Sequence, residues 1–416
     1  MNSVPRFEFR ASFRTKSSFQ PSAFVEHERS IPRIHMSNDS FSEVTQTGWL
    51  SRLGKSLTGV LIGLALTVGS FPLLWWNEGR SVKTYQGLKE GEKIAISIAA
   101  ETVDAGNDGK LVHLVGHAQA KDEVTDSAFG AKLSGAIKLR RTVEMFQWVE
   151  TKKTTTKTKL GGGEETVTEY SYQQNWSEKY HPSAEFRHPQ GHANTKPAHE
   201  SETFVSRQAT IGSFALPAFL IDQWKDLRPM SVGVDALNPE HREKAQLQGN
   251  WLYLLGRADR PVNGDLRIKF DSIPAGEASI LARQVQDTFE PYLTQVGTKI
   301  SRIQSGVHSK ESMFAAAQAE NTFHTWLLRG LGLLLMFIGL ALVFQPFKIL
   351  ADILPLAGRI VGAGTGMVAF LLAGMGSTLT ISLAWLWYRP LLGATVLIGT
   401  VVLMILLIRR LSKKTA

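Results

Sequence analysis

Four histidines fall within twenty residues, His181, His188, His192 and His199, in a proline-containing stretch. Neutral imidazoles are common zinc and copper ligands, so the cluster raises a metal hypothesis. The spacings match no helical or hairpin ligand pattern, and the prolines fix a loop, so an exposed loop is the competing and favoured reading. His113 and His117 lie in a strand-like run, where a spacing of four puts both on one face; packed or surface histidines are the default there. His27-Glu28 is followed by Ile31 where a zinc-protease helix needs its second histidine. Gly161-Gly162-Gly163 lacks the Lys-Ser/Thr of a phosphate loop and reads as a hairpin tip. The 416-residue chain has no cysteine and no G-x-S-x-G elbow. The reading is of no catalytic, cofactor or metal site.

The elements that would position any chemistry are dominated by apolar runs. Residues 57–76 carry no charge over twenty positions, which as a helix is about 30 Å, the thickness of a bilayer's hydrocarbon core. Further uncharged runs cover 330–347, 360–388 and 390–408. They predict four membrane helices, at 57–76, 326–347, 360–388 and 390–408. The fold class expected is an integral membrane protein with four α-helical spans, one N-terminal and three C-terminal. A large α+β, strand-rich extracytoplasmic domain, 77–325, lies between spans one and two.

The net charge of +9 first points to nucleic acid, but its distribution does not. Residues 1–56 carry net +3, residues 77–325 net −1, and residues 326–416 net +7. The basic excess borders the spans, which is an orientation signal and not a nucleic-acid footprint. It puts the 36–56 segment, the 348–359 loop and the basic 409–416 tail in the cytoplasm, and therefore both termini there. Residues 1–35, rich in Arg, Ser and Phe, read as a disordered tail, a transit peptide or an over-extended start ahead of Met36.

Within 77–325, residues 94–99 and 111–118 carry strand signals, and 137–151 with 166–177 form a predicted hairpin. Tyr170, Tyr172 and Trp176 fall on one face of it at period two. Gly109–Ala118 and Gly249–Ala258 share four identities in ten, read as a duplication or as two similar strands of one sheet. Leu281, Val285, Phe289, Tyr292, Val296, Ile300 and Ile303 recur every three or four residues and predict a helix kinked at Pro291.

No ionisable residue lies inside the four runs, which weighs against an ion-coupled transporter. Gly59, Gly63, Gly358, Gly362 and Gly366 are spaced for close helix packing, within one subunit or between subunits. Gly364, Ser377, Thr378, Thr380 and Ser382 in the third run could line a path or hydrogen-bond between helices. Glu78, beside Trp75 and Trp76 at the exit of the first run, is a candidate interfacial contact with Arg389, at the turn between the last two runs.

RLGKSLTGVLIGLALTVGSFPLLWWNEGRSVKT (52–84), FVSRQATIGSFAL (204–216), TWLLRGLGLLLMFIG (325–339) and AWLWYRPLLG (384–393) together resemble the LUMA family, transmembrane protein forty-three in words. The resemblance runs from about Met36 to the C-terminus, and the head is the clear departure. It implies a four-span protein with a large lumenal domain, an organiser that self-associates and contacts other envelope proteins. Eukaryotic members would sit in the endoplasmic reticulum and inner nuclear membrane, bacterial relatives in the cytoplasmic membrane. It supplies no catalytic residues. The function read here is a non-enzymatic membrane scaffold whose partners are the bilayer, itself and other membrane proteins, with no nucleic acid. The alternative is a channel or transporter lined by the third span.

Overall fold

The computed structural model describes residues 39–254 and 257–391, together with 394, 395, 398, 399, 401–403 and 405. The head 1–35 and the tail 409–416 lie outside the described residues, and the fourth apolar run falls only partly within them. Five α-helices carry the description: α1 (Trp49–Ile94), α2 (Ala218–Gln223), α3 (Pro239–Arg242), α4 (Lys310–Ala351) and α5 (Pro355–Tyr388). Among the described residues, α1, α4 and α5 are long and apolar enough to cross a membrane.

Each of these three buries only a narrow stripe. In α1 the buried positions include Arg52, Ser56, Gly63, Ser70, Leu74 and Asn77, close to the i, i+4, i+7 rhythm of a single helix seam. The rest of the surface, with Leu57, Leu61, Leu64, Val68 and Phe71, faces outward. Helices apolar all round with a thin packed seam suit a hydrocarbon solvent, where no hydrophobic effect drives helices together and close fit must do so. Leu74, Met336 and Ala373 make the small apolar centre where α1, α4 and α5 meet.

The helices do not stop at the apolar boundary. α1 has 46 residues, about 69 Å of continuous helix, and its last turns enter the sheet domain. There Leu88 packs with Leu111, Leu281, Ile300 and, from the first turns of α4, Met313, Phe314 and Ala317. Gly87 and Gly91 lie so close to Thr298 and Ile300 that a side chain at either would collide.

The domain has two main sheets. One, of eight strands, runs in the order Asp39–Thr47, Glu164–Ser177, Ala136–Thr158, Leu266–Pro274, Trp251–Tyr253, Gln246–Gln248, with two short strands beside this path. The other, of seven, is centred on Leu111–Ala120 and Gly276–Val285, with Ile96–Ala99 running parallel to the former. Each sheet has its own core: Phe129, Leu139, Ile268 and Phe270 in the first, and Val112, Phe214, Trp224 and Ile280 in the second.

Two sequence expectations change here. Residues 281–303 are strands, not a helix. Leu281, Val285 and Phe289 are four apart, an even spacing that also keeps one face of a strand. Gly276–Val285 is buried on both faces, Ala278, Ile280 and Ala282 toward one core and Leu281 toward the other. Alternation is therefore lost and a helix-like period is left. Gln286, at φ 55°, turns the chain between the strands. The similar segments 109–118 and 249–258 contribute strands to different sheets, so they are not neighbours in one.

The hairpin is longer than its apolar alternation. Its strands are Ala136–Thr158 and Glu164–Ser177, paired in register from Met145–Ser177 to Thr158–Glu164. Asp39–Thr47 adds a third, edge strand along Glu164–Tyr172. Beyond the sheet body about 13 residues of ribbon remain, roughly 43 Å.

Candidate functional site

Buried charge occurs at both ends of the uncharged part of α1. At the end beside the sheet domain, Glu78 is almost wholly buried and receives both ends of the Arg329 guanidinium, Nε at 2.6 Å and Nη2 at 2.8 Å. The Trp385 indole N–H donates to the same carboxylate at 2.6 Å. Arg329 lies over the Trp326 ring, 4.7 Å from its centre, and 5.4 Å from that of Trp385. One carboxylate thus ties α1, α4 and α5 together with bidentate, charge-assisted bonds.

Beside Glu78 the network continues through Asn77 and Arg80 to neutral partners. Asn77 donates to the Thr325 carbonyl. Arg80 donates to Asn321, Asn77 and the Thr325 hydroxyl at 3.1–3.2 Å. Asn321 donates to the Ser81 carbonyl. Burial pushes the Arg80 guanidinium below its ordinary value, and nearby Glu78 pulls the other way.

Twenty-six residues earlier in α1, about 39 Å along the helix, Arg52 makes the second network. Its Nη2 lies 2.6 Å from both Asp352, after α4, and Glu164, at the start of the second hairpin strand. Its Nη1 donates to the Gly162 carbonyl. The Trp49 indole donates to the Ile349 carbonyl at 2.8 Å, and the Gly161 amide to that of Ile353 at 3.1 Å. Gly162, at φ +78°, leaves no room for a Cβ against Trp49, so glycine is required both by conformation and by contact.

The sequence-derived candidates divide. Glu78 is an inter-helix contact, but its partner is Arg329; Arg389 instead lies over the Tyr85 ring at 5.4 Å. Both arginines border the same end of the bundle, and sequence distance gave no reason to choose the residue on α4. A Cβ on Gly63 would meet the Gly339 carbonyl at 2.5 Å and one on Gly59 the Gln345 side chain at 3.2 Å, so both face α4 of the same chain. Gly358 abuts Asp352, Gly362 the Lys348 side chain, and Gly366 has open space among the described residues. Gly332, against Leu74, and Gly339, against Thr67 and Gly63, are the close approaches on α4 that the sequence reading missed. The signal was there as small residues seven apart in an apolar run.

The histidines form no shared donor set among the described residues. His192 is buried and stacked on Tyr172 at 4.0 Å, and its Nδ1 lies 2.9 Å from the His188 carbonyl. His188 stacks on Phe41 of the edge strand. His199 packs against Phe129 instead. The loop is thus folded onto the ribbon and not freely exposed. The Tyr172 hydroxyl donates to Glu150 at 2.5 Å; burial first, then this bond, push its pKa up to about 12. His113 is buried at the start of α4, its Nε2 2.9 Å from the His308 carbonyl, while His117 is exposed. In α5 the hydroxyls of Thr378, Thr380 and Ser382 donate to carbonyls of their own helix, and Ser377 faces the Met336 sulfur.

A bundle apolar on its outside, sealed by buried ion networks and continuous with a mixed α+β domain, defines a membrane protein with multiple apolar helices. The chain belongs to the Transmembrane protein 43 family, whose model matches residues 145–390. It is 34% identical to Transmembrane protein 43 of Rattus norvegicus over 377 residues, 88% of this chain and 92% of that one. The Homo sapiens protein is 33% identical over 360 residues, 83% and 88% of the two chains. The Drosophila melanogaster homolog is 28% identical over 361 residues, 82% and 91%. No solved structure matches.

Proposed function

We propose that the protein is a non-enzymatic multi-pass membrane scaffold that self-associates and presents its domain to partner proteins. The observation that carries this is mechanical continuity. α1 and α4 pass without a break from the apolar bundle into the domain core, where Leu88, Met313 and Phe314 are buried. A surface held this way keeps a fixed attitude to the bilayer, which is what an organiser needs and what a flexible tether would not give. A Cβ on Gly364 or Gly366 would meet no atom within 4 Å among the described residues, which supports close contact of this part of α5 with another helix, a second copy included. The hydroxyls of Thr378, Thr380 and Ser382 are engaged within α5 and that of Ser377 with Met336 of α4, which supports packing over a solute path. The resemblance to family members implies endoplasmic-reticulum and inner nuclear membranes as the location. Crosslinking of intact membranes, followed by identification of what is captured, tests this. Recovery of partner membrane proteins and of a second copy is expected; recovery of neither removes the scaffold.

In the topology we propose first, 390–408 is a fourth span, both termini are cytoplasmic and 77–325 is lumenal. A second topology is favoured by the hairpin tip. Gly161, Gly162 and Glu164 bond to Arg52 and Ile353, residues that the first arrangement leaves across the bilayer. The ribbon carries Lys152, Lys153, Lys157, Glu165 and Glu169, and an open polar sheet edge does not sit in hydrocarbon. In this second arrangement the domain and both ends of the bundle share one aqueous side, and the helices enter the membrane without separating them. The two exclude each other. The cysteine-free chain lets G161C and I353C be labelled singly in sealed membranes. Opposite sidedness supports the first topology, and the same sidedness with disulfide formation in the double variant supports the second.

A further inference from the structure

A cleft of about 620 Å³ opens where the uncharged run of α1 ends. It is lined by Trp75, Trp76 and Tyr388, by Arg80, Lys83 and Lys299, and by the Val296–Lys299 turn. The lining contains three cations and no carboxylate. Two acids of α1 have partners elsewhere: Glu78 is held by Arg329 and Trp385, and Glu90 by the Gln295 amide. Among the described residues Arg80 donates only to neutral oxygens, and its Nε has no partner. Lys83 and Lys299 are exposed and in no ion pair among the described residues. Arg389, over Tyr85, adds a cation close by.

Three lining cations with no lining carboxylate call for an anion, and the aromatic residues say which kind. Paired tryptophans at the end of an apolar helix mark the headgroup level of a bilayer, where an amphiphile offers phosphate to the cations and acyl chain to the rings. We propose that this cleft is a binding site for the phosphate headgroup of an anionic lipid, with Arg80, Lys83 and Lys299 holding the phosphate and Trp75, Trp76 and Tyr388 flanking the glycerol and upper chain. The inference rests only on the bundle being embedded, and holds for either topology.

The test uses the full chain in detergent micelles doped with brominated phosphatidate or brominated phosphatidylcholine, reading quenching of tryptophan fluorescence. Phosphatidate should bind on the order of tenfold tighter than phosphatidylcholine. The K83Q/K299Q double variant should bring the two lipids close to parity. A K152Q/K153Q control on the ribbon should leave the preference unchanged. Lys83 and Lys299 are exposed, so the double variant should melt with the wild type, and native mass spectrometry of retained lipid gives a second readout. Equal affinity for the two lipids in the wild type, or an unaltered preference in K83Q/K299Q, overturns the proposal. Displacement of phosphatidate by millimolar inorganic phosphate assigns the site to a soluble phosphate and overturns the lipid assignment.

Discussion

The two ends of the apolar bundle close by the same chemistry but with different materials. At Glu78 the carboxylate, the guanidinium and the indole all come from the three long helices. At Arg52 two helix ends need a third party, the tip of a hairpin whose base lies in the sheet domain. The first seal is part of the bundle; the second is a strap that the bundle borrows. Burial separates the hairpin from both helix carboxylates, for the side chains of Glu78 and Asp352 are 1% and 2% exposed while that of Glu164 is 27% exposed. A carboxylate with no access to water depends wholly on its partners, whereas one at the rim can return to solvent at modest cost.

The largest effect should therefore come from the first seal. R329A leaves Glu78 buried without its cation and should cost about 3 kcal/mol, read as a lower melting temperature of the detergent-solubilised protein with all three helices losing hydrogen-exchange protection together. Protection lost only at the ribbon would contradict the contrast. G63L is next. It forces α1 away from Gly339 and should cost about 2 kcal/mol, with the loss again shared by α1 and α4 and the sheet domain unaffected; no destabilisation would show that the seam is not a close contact. R52A should cost about 2 kcal/mol, because it leaves Asp352 buried without its cation, while Glu164 can return to solvent and Lys55 lies beside Arg52. Its signature is local: amides 159–165 should exchange faster while those around Asn77 stay protected, and unchanged exchange at the tip would remove the strap. The smallest effect belongs to His113, which takes part in neither seal. Burial holds its pKa below the ordinary value, so the unfolded chain binds the proton more readily. The stability it supports is full above about pH 6.5 and falls as pH drops through the lowered value. Melting temperatures at pH 7.5 and 5.5 should differ more in the wild type than in H113F, and an identical difference in both would assign the pH response elsewhere.

Much of the scaffold is written locally. Twenty uncharged residues before Asn77-Glu78, and the alternation of Tyr170, Tyr172 and Trp176, require only neighbours in the chain to be read. Residues 281–303 were misread because a strand buried on both faces loses the alternation that identifies it. The predicted hairpin has strands at 137–151 and 166–177 only, because the Thr and Lys of 151–159 carry no apolar period, although the pairing with Glu164–Ser177 extends along them to Thr158. The Glu78 site was legible as an interfacial charge but not as a pair, since Arg389 and Arg329 are equally good partners until the helices are packed.

By itself the sequence determined that this chain has membrane-length apolar helices, where the uncharged run of α1 ends, and that a mixed domain interrupts the series, because hydropathy and side-chain period are properties of contiguous residues. Only the tertiary structure decided which arginine meets Glu78, that Gly59 and Gly63 are used within the chain, and that a hairpin tip returns to Arg52. Those are contacts between residues from about a hundred to about three hundred positions apart, and no local pattern encodes the choice among chemically equivalent partners.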